Sequence, residues 1–186
     1  MPVITCVLIE GYAETTRRLL AQRLTDAARH TTGAPWDGIT VMINELPDSD
    51  YMRGRVERIP AKAPVPPADL ARGFLNAMEA RDLARAKTFL ADTFSMAFPN
   101  SPVFHSLEEL VEWSAGRYQS VRKSYQGTDE CLGPDGVTVY CHGTLSGAWS
   151  DGTPFEGIRF IDRFTVVDGK LTDHRVWNDM AEVRPR

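Results

Sequence analysis

The sequence has little of what several specialised classes of protein require. Its 186 residues include three cysteines, Cys6, Cys131 and Cys141. An odd and scattered set suggests neither a disulfide framework nor a zinc cluster, so all three are read as reduced packing residues. The four histidines show no ligand spacing with acids or cysteines, which leaves metal ligation without support, and no cofactor is expected. Positive charge is not in excess: the net charge of -4 gives no general attraction to phosphate backbones or anionic membranes. No uninterrupted apolar stretch is long enough to span a bilayer, and no basic segment precedes the first apolar run as in a secretory signal. The expectation is a cytoplasmic protein with a small-molecule substrate and no nucleic-acid or membrane partner.

What is present falls into two patterned regions separated by proline. Val3-Ile4-Thr5-Cys6-Val7-Leu8-Ile9 reads as a strand, residues 13–32 as a helix, and Ile39-Thr40-Val41-Met42-Ile43-Asn44-Glu45 as a second strand. Strand, crossover helix and strand in so few residues form one βαβ unit. Leu20, Leu24, Ala27 and Ala28 recur at helical spacing and should cover the sheet, with Arg17, Arg18, Gln22, Arg23 and Asp26 mostly on the other side. Gly33 suits a left-handed helix cap and Pro35 ends the run. A unit of about 55 residues buries too small a fraction of its surface to be comfortable alone, so a homo-oligomer is expected.

The chain before that first strand is Met1-Pro2. Removal of Met1, which a small second residue permits, leaves a secondary amine at the head of an apolar strand. A free α-amino group titrates near about 7.7 to 8, and burial lowers that value toward neutrality, where a general base is most useful. With Met1 retained, the Pro2 nitrogen is an amide and cannot act as a base.

The terminal proline, the Glu10-Gly11 step, the helix length, Gly33-Ala34-Pro35 and a strand ending in Glu45 together resemble the oxalocrotonate tautomerase family. The resemblance implies Pro2 as catalytic base and assembly into oligomers, up to hexamers, whose sites are built from neighbouring chains. Family members use two arginines and an aromatic residue to hold substrate. The ungapped positions here are Tyr12, Thr40 and Tyr51, so both arginines are missing. A guanidinium fork is the usual partner of a carboxylate, which argues against a small dicarboxylate unless Arg53, Arg55 or another arginine moves in. Tyr12 and Thr40 are either hydrogen-bond donors to a developing enolate oxygen or ordinary strand and turn residues.

Ile59-Pro60-Ala61-Lys62-Ala63-Pro64-Val65-Pro66-Pro67 holds four of the twelve prolines and should be extended and semi-rigid. The expected domains are therefore 1–57, a linker at 58–67, and 68–186. In the last of these, Leu70, Phe74, Ala77 and Met78 share a helix face, and a shorter helical segment carries Leu83, Ala86, Phe89 and Leu90. Phe94–Phe98 reads as a strand, and Ser106-Leu107-Glu108-Glu109 has capping-box spacing at the start of a helix reaching about Gly116. Turn signals at Gly133-Pro134-Asp135-Gly136, Ser150-Asp151-Gly152 and Asp168-Gly169 delimit strands near 118–132, 137–149, 155–167 and 170–179, which should form a curved antiparallel meander. The fold class is α+β, with the sheet wrapped around a pocket capped by helices.

Alternation in the third of these strands places Ile158, Phe160, Asp162, Phe164 and Val166 on one face. A carboxylate in an apolar row is costly without a role. Either Arg159, Arg163 or Arg175 neutralises Asp162, or it stays partly protonated with a raised pKa and donates a hydrogen bond. A core aspartate satisfied by its neighbours is the plain alternative.

Phe74 through Leu83, the Ile161-Asp162-Arg163-Phe164 run, Asp168-Gly169-Lys170-Leu171 and Asp179 resemble the cone-shaped superfamily of ketosteroid isomerase, SnoaL-like polyketide cyclases and nuclear transport factor 2. The resemblance puts Asp162 at the ketosteroid isomerase oxyanion position, Phe74 where its tyrosine stands, and Phe98 where its basic aspartate stands. Those replacements argue against that reaction. SnoaL-like cyclases use an acid/base aspartate on the late strands, for which Asp179 and Asp162 are eligible, with His174 beside them; His142 is expected to face away from the pocket.

Three functions stay open. The first is a keto-enol tautomerase acting through Pro2 on a small or polyketide-like substrate. The second is a cyclase or isomerase acting through Asp162 or Asp179, with the first unit as an assembly module. The third is a non-catalytic binder of small hydrophobic ligands.

Overall fold

The computed structural model describes residues 1–183 and divides into two compact units, residues 1–64 and 65 onward. In the first unit β1 (Val3–Ile9) and β2 (Thr40–Leu46) pair in parallel, Val3 opposite Thr40 through Ile9 opposite Leu46, joined by α1 (Glu14–Thr32). A short hairpin of β3 (Met52–Arg53) and β4 (Val56–Glu57) follows. Gly33 caps α1 at φ +71°, donating its N–H to the Arg29 carbonyl. Arg17 lies 2.5 Å from Glu45 and also donates to the Tyr12 carbonyl at 3.0 Å, tying helix to sheet.

Leu20, Leu24 and Ala28 are half-buried, but Ala27 is exposed. A two-stranded sheet is too narrow to cover the full width of the apolar stripe. On the sheet, Ile4, Cys6, Leu8, Val41 and Ile43 are half-buried, while Val3, Val7 and Met42 on the opposite face are exposed in the single chain.

The second unit opens with α2 (Pro67–Glu79) and α3 (Leu83–Lys87), followed by β5 (Leu90–Ala97), β6 (Val103–Phe104) and α4 (Leu107–Ala115). The long strands β7 (Tyr118–Gly133), β8 (Gly136–Trp149), β9 (Pro154–Val167) and β10 (Lys170–Asn178) come next, then α5 (Met180–Val183). Pro67 is the first residue of α2 rather than the last of the linker, because its missing N–H costs nothing at a helix start. Among the described residues, no helix is long and apolar enough to cross a membrane.

Four strands form the antiparallel meander, and β5 adds to it in parallel beside β10, giving the order β6-β5-β10-β9-β8-β7 in a curved mixed sheet. Register shifts in the β7/β8 and β8/β9 pairs mark where the strands bend. The expected helical reading of Phe89 and Leu90 is corrected: α3 ends at Lys87, and Leu90 begins β5. The Leu171 N–H donates to the Phe89 carbonyl at 2.9 Å, so pairing with β10 overrides a weak local helical preference.

Ser106 and Glu109 complete the capping box of α4. Helix α2 lies against β7, β8 and β10 and buries Leu70, Ala71, Phe74, Leu75 and Ala77 in a core with Met96, Phe104, Val139 and Phe164. Of the cysteines, Cys141 is buried and Cys6 partly so, but Cys131 is exposed. Its place in the far end of the β7/β8 hairpin offers nothing to pack against.

Candidate functional site

Beneath α2 the concave side of the sheet encloses a cavity of about 660 Å³, within the size range of small-molecule sites. Its apolar walls include Phe74, Leu75, Met78, Phe98 and Leu110, and it is also lined by residues at and just beyond the end of α2 and by residues 118–123 of the edge strand β7, of which Glu79, Arg81 and Arg122 are exposed and mark its mouth. His174 and Lys123 also line it.

Asp162 is fully buried, as its place in the Ile158–Val166 row requires. Its partners are not the arginines. Neighbours one residue away on a strand point to the opposite face, so Arg163 reaches Asp173 at 3.1 Å, Arg175 reaches Asp173 at 2.7 Å, and Arg159 reaches Asp179 at 2.6 Å. Asp162 instead receives Lys123 from β7 on one oxygen and His174 from β10 on the other, with His174 Nε2 at 3.1 Å from Oδ1. Lys123 alternates with Val121 and Tyr125 on the inward face of β7, and its ammonium lies 4.5 Å from the Phe160 ring centroid.

Of the alternatives open for Asp162, a raised pKa is therefore not borne out. Burial alone pushes the carboxyl up, but the charge of Lys123 and the hydrogen bond from His174 outweigh it and hold it below the ordinary carboxylate value. His174 is pushed down by its burial, against the opposing pull of Asp162. An ionised Asp162 only accepts hydrogen bonds, so His174 is held with the proton on Nε2 and a lone pair on Nδ1. That Nδ1 is buried and has no hydrogen-bond partner.

Aromatic rings fix the imidazole plane. Phe164 stacks on it at 4.2 Å, with Phe74 and Phe98 edge-on at 5.8 and 5.5 Å. Phe74 and Phe98 thus build the walls around the imidazole, offering no polar atom of their own.

The other sequence candidates lie elsewhere. Asp179 is paired with Arg159 and is not among the residues lining this cavity or the smaller one beside it. His142 is 40% exposed near Asp129, away from the cavity. In the first unit the Pro2 carbonyl accepts the Thr40 N–H at 3.1 Å, which brings those two residues together. Tyr12 is half-buried beside the start of α1, and Arg53 lies 3.4 Å from the Tyr51 hydroxyl. Sequence reasoning missed Lys123, although a lysine on the apolar parity of a long strand was a readable signal.

The tautomerase enzyme family matches residues 2–56, and the SnoaL-like domain family matches residues 71–174. A probable tautomerase of Bacillus cereus is 39% identical over 54 residues, which are 29% of this chain and 88% of that protein. The 2-hydroxymuconate tautomerase of Bacillus subtilis is 35% identical over 51 residues, 27% of this chain and 82% of that protein. A solved NTF2-like protein of unknown function from Burkholderia pseudomallei superposes with a TM-score of 0.52 at 15% identity, covering 61% of this chain and 91% of its own. At family level the first unit points to isomerase-type chemistry, tautomerisation. The chain accordingly belongs to two families in succession, a tautomerase unit followed by a SnoaL-like domain with the NTF2-like fold.

Proposed function

We propose that the protein is an isomerase or cyclase that moves a proton on an enolisable ketone inside the cavity of the SnoaL-like domain. One observation carries this reading: the buried, unpartnered His174 Nδ1 in a cavity-lining imidazole whose other nitrogen is tied to an ionised Asp162. An unsatisfied buried acceptor costs about 1–3 kcal/mol, and such a group in a cleft is a functional candidate.

His174 Nδ1 takes a proton from a carbon or hydroxyl of the substrate. Asp162 holds the tautomer and stabilises the imidazolium that results, as in other oriented carboxylate–histidine pairs. Lys123 has three donors and uses one on Asp162. The remaining two are available to the enolate oxygen that develops as the proton leaves. The imidazolium then returns the proton to a different atom of the same substrate, or, where the enolate carbon closes a ring by bonding to a carbonyl carbon, to the alkoxide oxygen left as that carbonyl π bond breaks. Asp162 is thus a positioning residue.

A second reading is supported by the family match that begins at residue 2. In it the Pro2 amine, freed by loss of Met1, is the base of a tautomerase site in the first unit, with Tyr12, Thr40, Tyr51 or Arg53 assisting and other copies of the chain covering the open sheet face.

Solvent-deuterium exchange into cyclic 1,3-diketones, followed by NMR over the uncatalysed background, separates the two. The cavity reading expects His174→Gln to lose a factor on the order of 10² to 10⁴ while Pro2→Ala keeps most of the rate. The reverse pattern refutes it and supports Pro2. Intact mass of the untagged protein adds an independent check, since retained Met1 eliminates the Pro2 mechanism.

A further inference from the structure

The mouth of the cavity is more cationic than proton transfer at its floor requires. Arg81, just beyond α2, and Arg122, on β7, both line it, and both are exposed. Neither guanidinium has an ion-pair partner among the described residues. Lys123 is paired with Asp162, and the acid at the rim, Glu79, accepts the Lys123 backbone N–H at 3.3 Å. Two unpaired guanidinium groups against one carboxylate remain at the opening, on a chain whose net charge is -4.

Arg81 also sits in an unfavourable backbone conformation. Its φ is +59°, the left-handed region that is unfavourable for a residue with a side chain and where a helix end usually carries glycine. Strain held at the rim of a cleft is a pointer to function when the side chain faces a use. Inward of the rim the lining turns apolar with Phe74, Leu75, Met78 and Leu110, and then reaches the unpartnered His174. A ligand that satisfies every part of this gradient is anionic at one end, apolar in its body, and enolisable at the other end.

We infer that Arg81 and Arg122 clamp a carboxylate at the cavity mouth, so that the substrate is an aromatic or alicyclic enolisable ketone carrying a carboxylate remote from the reacting carbon. This rests on the cavity being the reaction site. Guanidinium forks match carboxylates in geometry as well as charge, and the apolar body excludes a small hydrophilic acid.

Calorimetric titration of the full chain with 6-hydroxy-2-naphthoate, whose carboxylate and hydroxyl lie at opposite ends of the ring system, and with 2-naphthol, which lacks the carboxylate, tests the clamp without requiring turnover. The carboxylate should bind on the order of tenfold more tightly than the uncharged naphthol, with a preference that shrinks as ionic strength rises. Arg81→Gln and Arg122→Gln should each lose several-fold in carboxylate affinity alone, the double variant should erase the preference, and Arg85→Gln, outside the lining, should leave it intact. Arg81→Gly should lose the same affinity while keeping or raising Tm, an outcome that a purely structural arginine would not give. Equal affinities in the parent protein, or a preference that survives in the double variant, overturns the clamp. Failure of both probes to bind overturns the clamp together with the cavity reading. Loss of catalysis by His174→Gln with the carboxylate preference unchanged is the result expected if both hold. An unaffected rate beside an intact preference refutes only the base.

Discussion

Removing Lys123 tests whether Asp162 is ionised in the fold. In Lys123→Met the stem of the side chain is kept and the charge is lost, leaving a fully buried carboxylate with only His174 beside it. Breaking a buried pair from one side costs about 3–5 kcal/mol. The Lys123 side chain is 18% exposed, so water reaches part of it and the lower end, about 3 kcal/mol, is the expectation. For a domain of this size that is a fall in Tm of roughly 10 °C.

The pH dependence gives the sign. Asp162 in the parent has a folded pKa below its unfolded value of about 3.9. It therefore contributes stability that is present above that pH and is lost as pH falls through the folded value. Without Lys123 burial dominates and the folded pKa rises, so the variant is worst at neutral pH. Its deficit narrows as acid protonates Asp162 or lets His174 take the compensating charge. The assay is urea unfolding at pH 7 and pH 5, followed by the fluorescence of Trp113, Trp149 and Trp177, all in the second unit. A deficit below about 1 kcal/mol at pH 7, the size of an exposed pair, or one that grows in acid, would refute an ionised Asp162 held by Lys123.

The remaining predictions concern stability and pH. His174 has a folded pKa below its ordinary value, so its contribution to stability should begin to fall below about pH 6.5, where the unfolded imidazole takes up a proton. Replacing it by glutamine should flatten that limb in thermal melts. Gly143→Ala should cost about 1–3 kcal/mol, the range for overpacking, because a Cβ there overlaps the Ser124 carbonyl oxygen; a chemical-denaturation midpoint equal to the parent's contradicts this. Phe74→Ala should cost about 3–5 kcal/mol, since Phe74 is 1% exposed and touches Phe94, Phe164 and His174. Ser106→Ala, which removes the cap of α4, should cost about 1 kcal/mol in the same assay.

Much of this molecule is decided by short-range pattern. Period-two alternation and turn residues place β7 to β10 to within about a residue, and the Ser106–Glu109 box starts α4 where it is observed. These features depend on backbone geometry within a few residues, and so they are legible in one dimension. The same alternation identifies Asp162 as a buried carboxylate. The expected arginine partners Arg159 and Arg163 fail for the same reason, since residues of opposite parity on one strand face opposite ways, and both arginines pair elsewhere.

Only the tertiary structure decides what surrounds that carboxylate. Lys123 lies 39 residues before Asp162 in sequence and reaches it across β8. His174 meets it from β10, and β5 joins the sheet in parallel through the Phe89–Leu171 contact. Each of these contacts depends on strand order, register and bulges accumulated over the whole sheet. They decide that Asp162 is held below the ordinary carboxylate range, that His174 Nδ1 is left without a partner, and that Arg81 and Arg122 line one cavity. The charge state of a buried group depends on which charges lie within a few ångströms, and that distance is set by the fold.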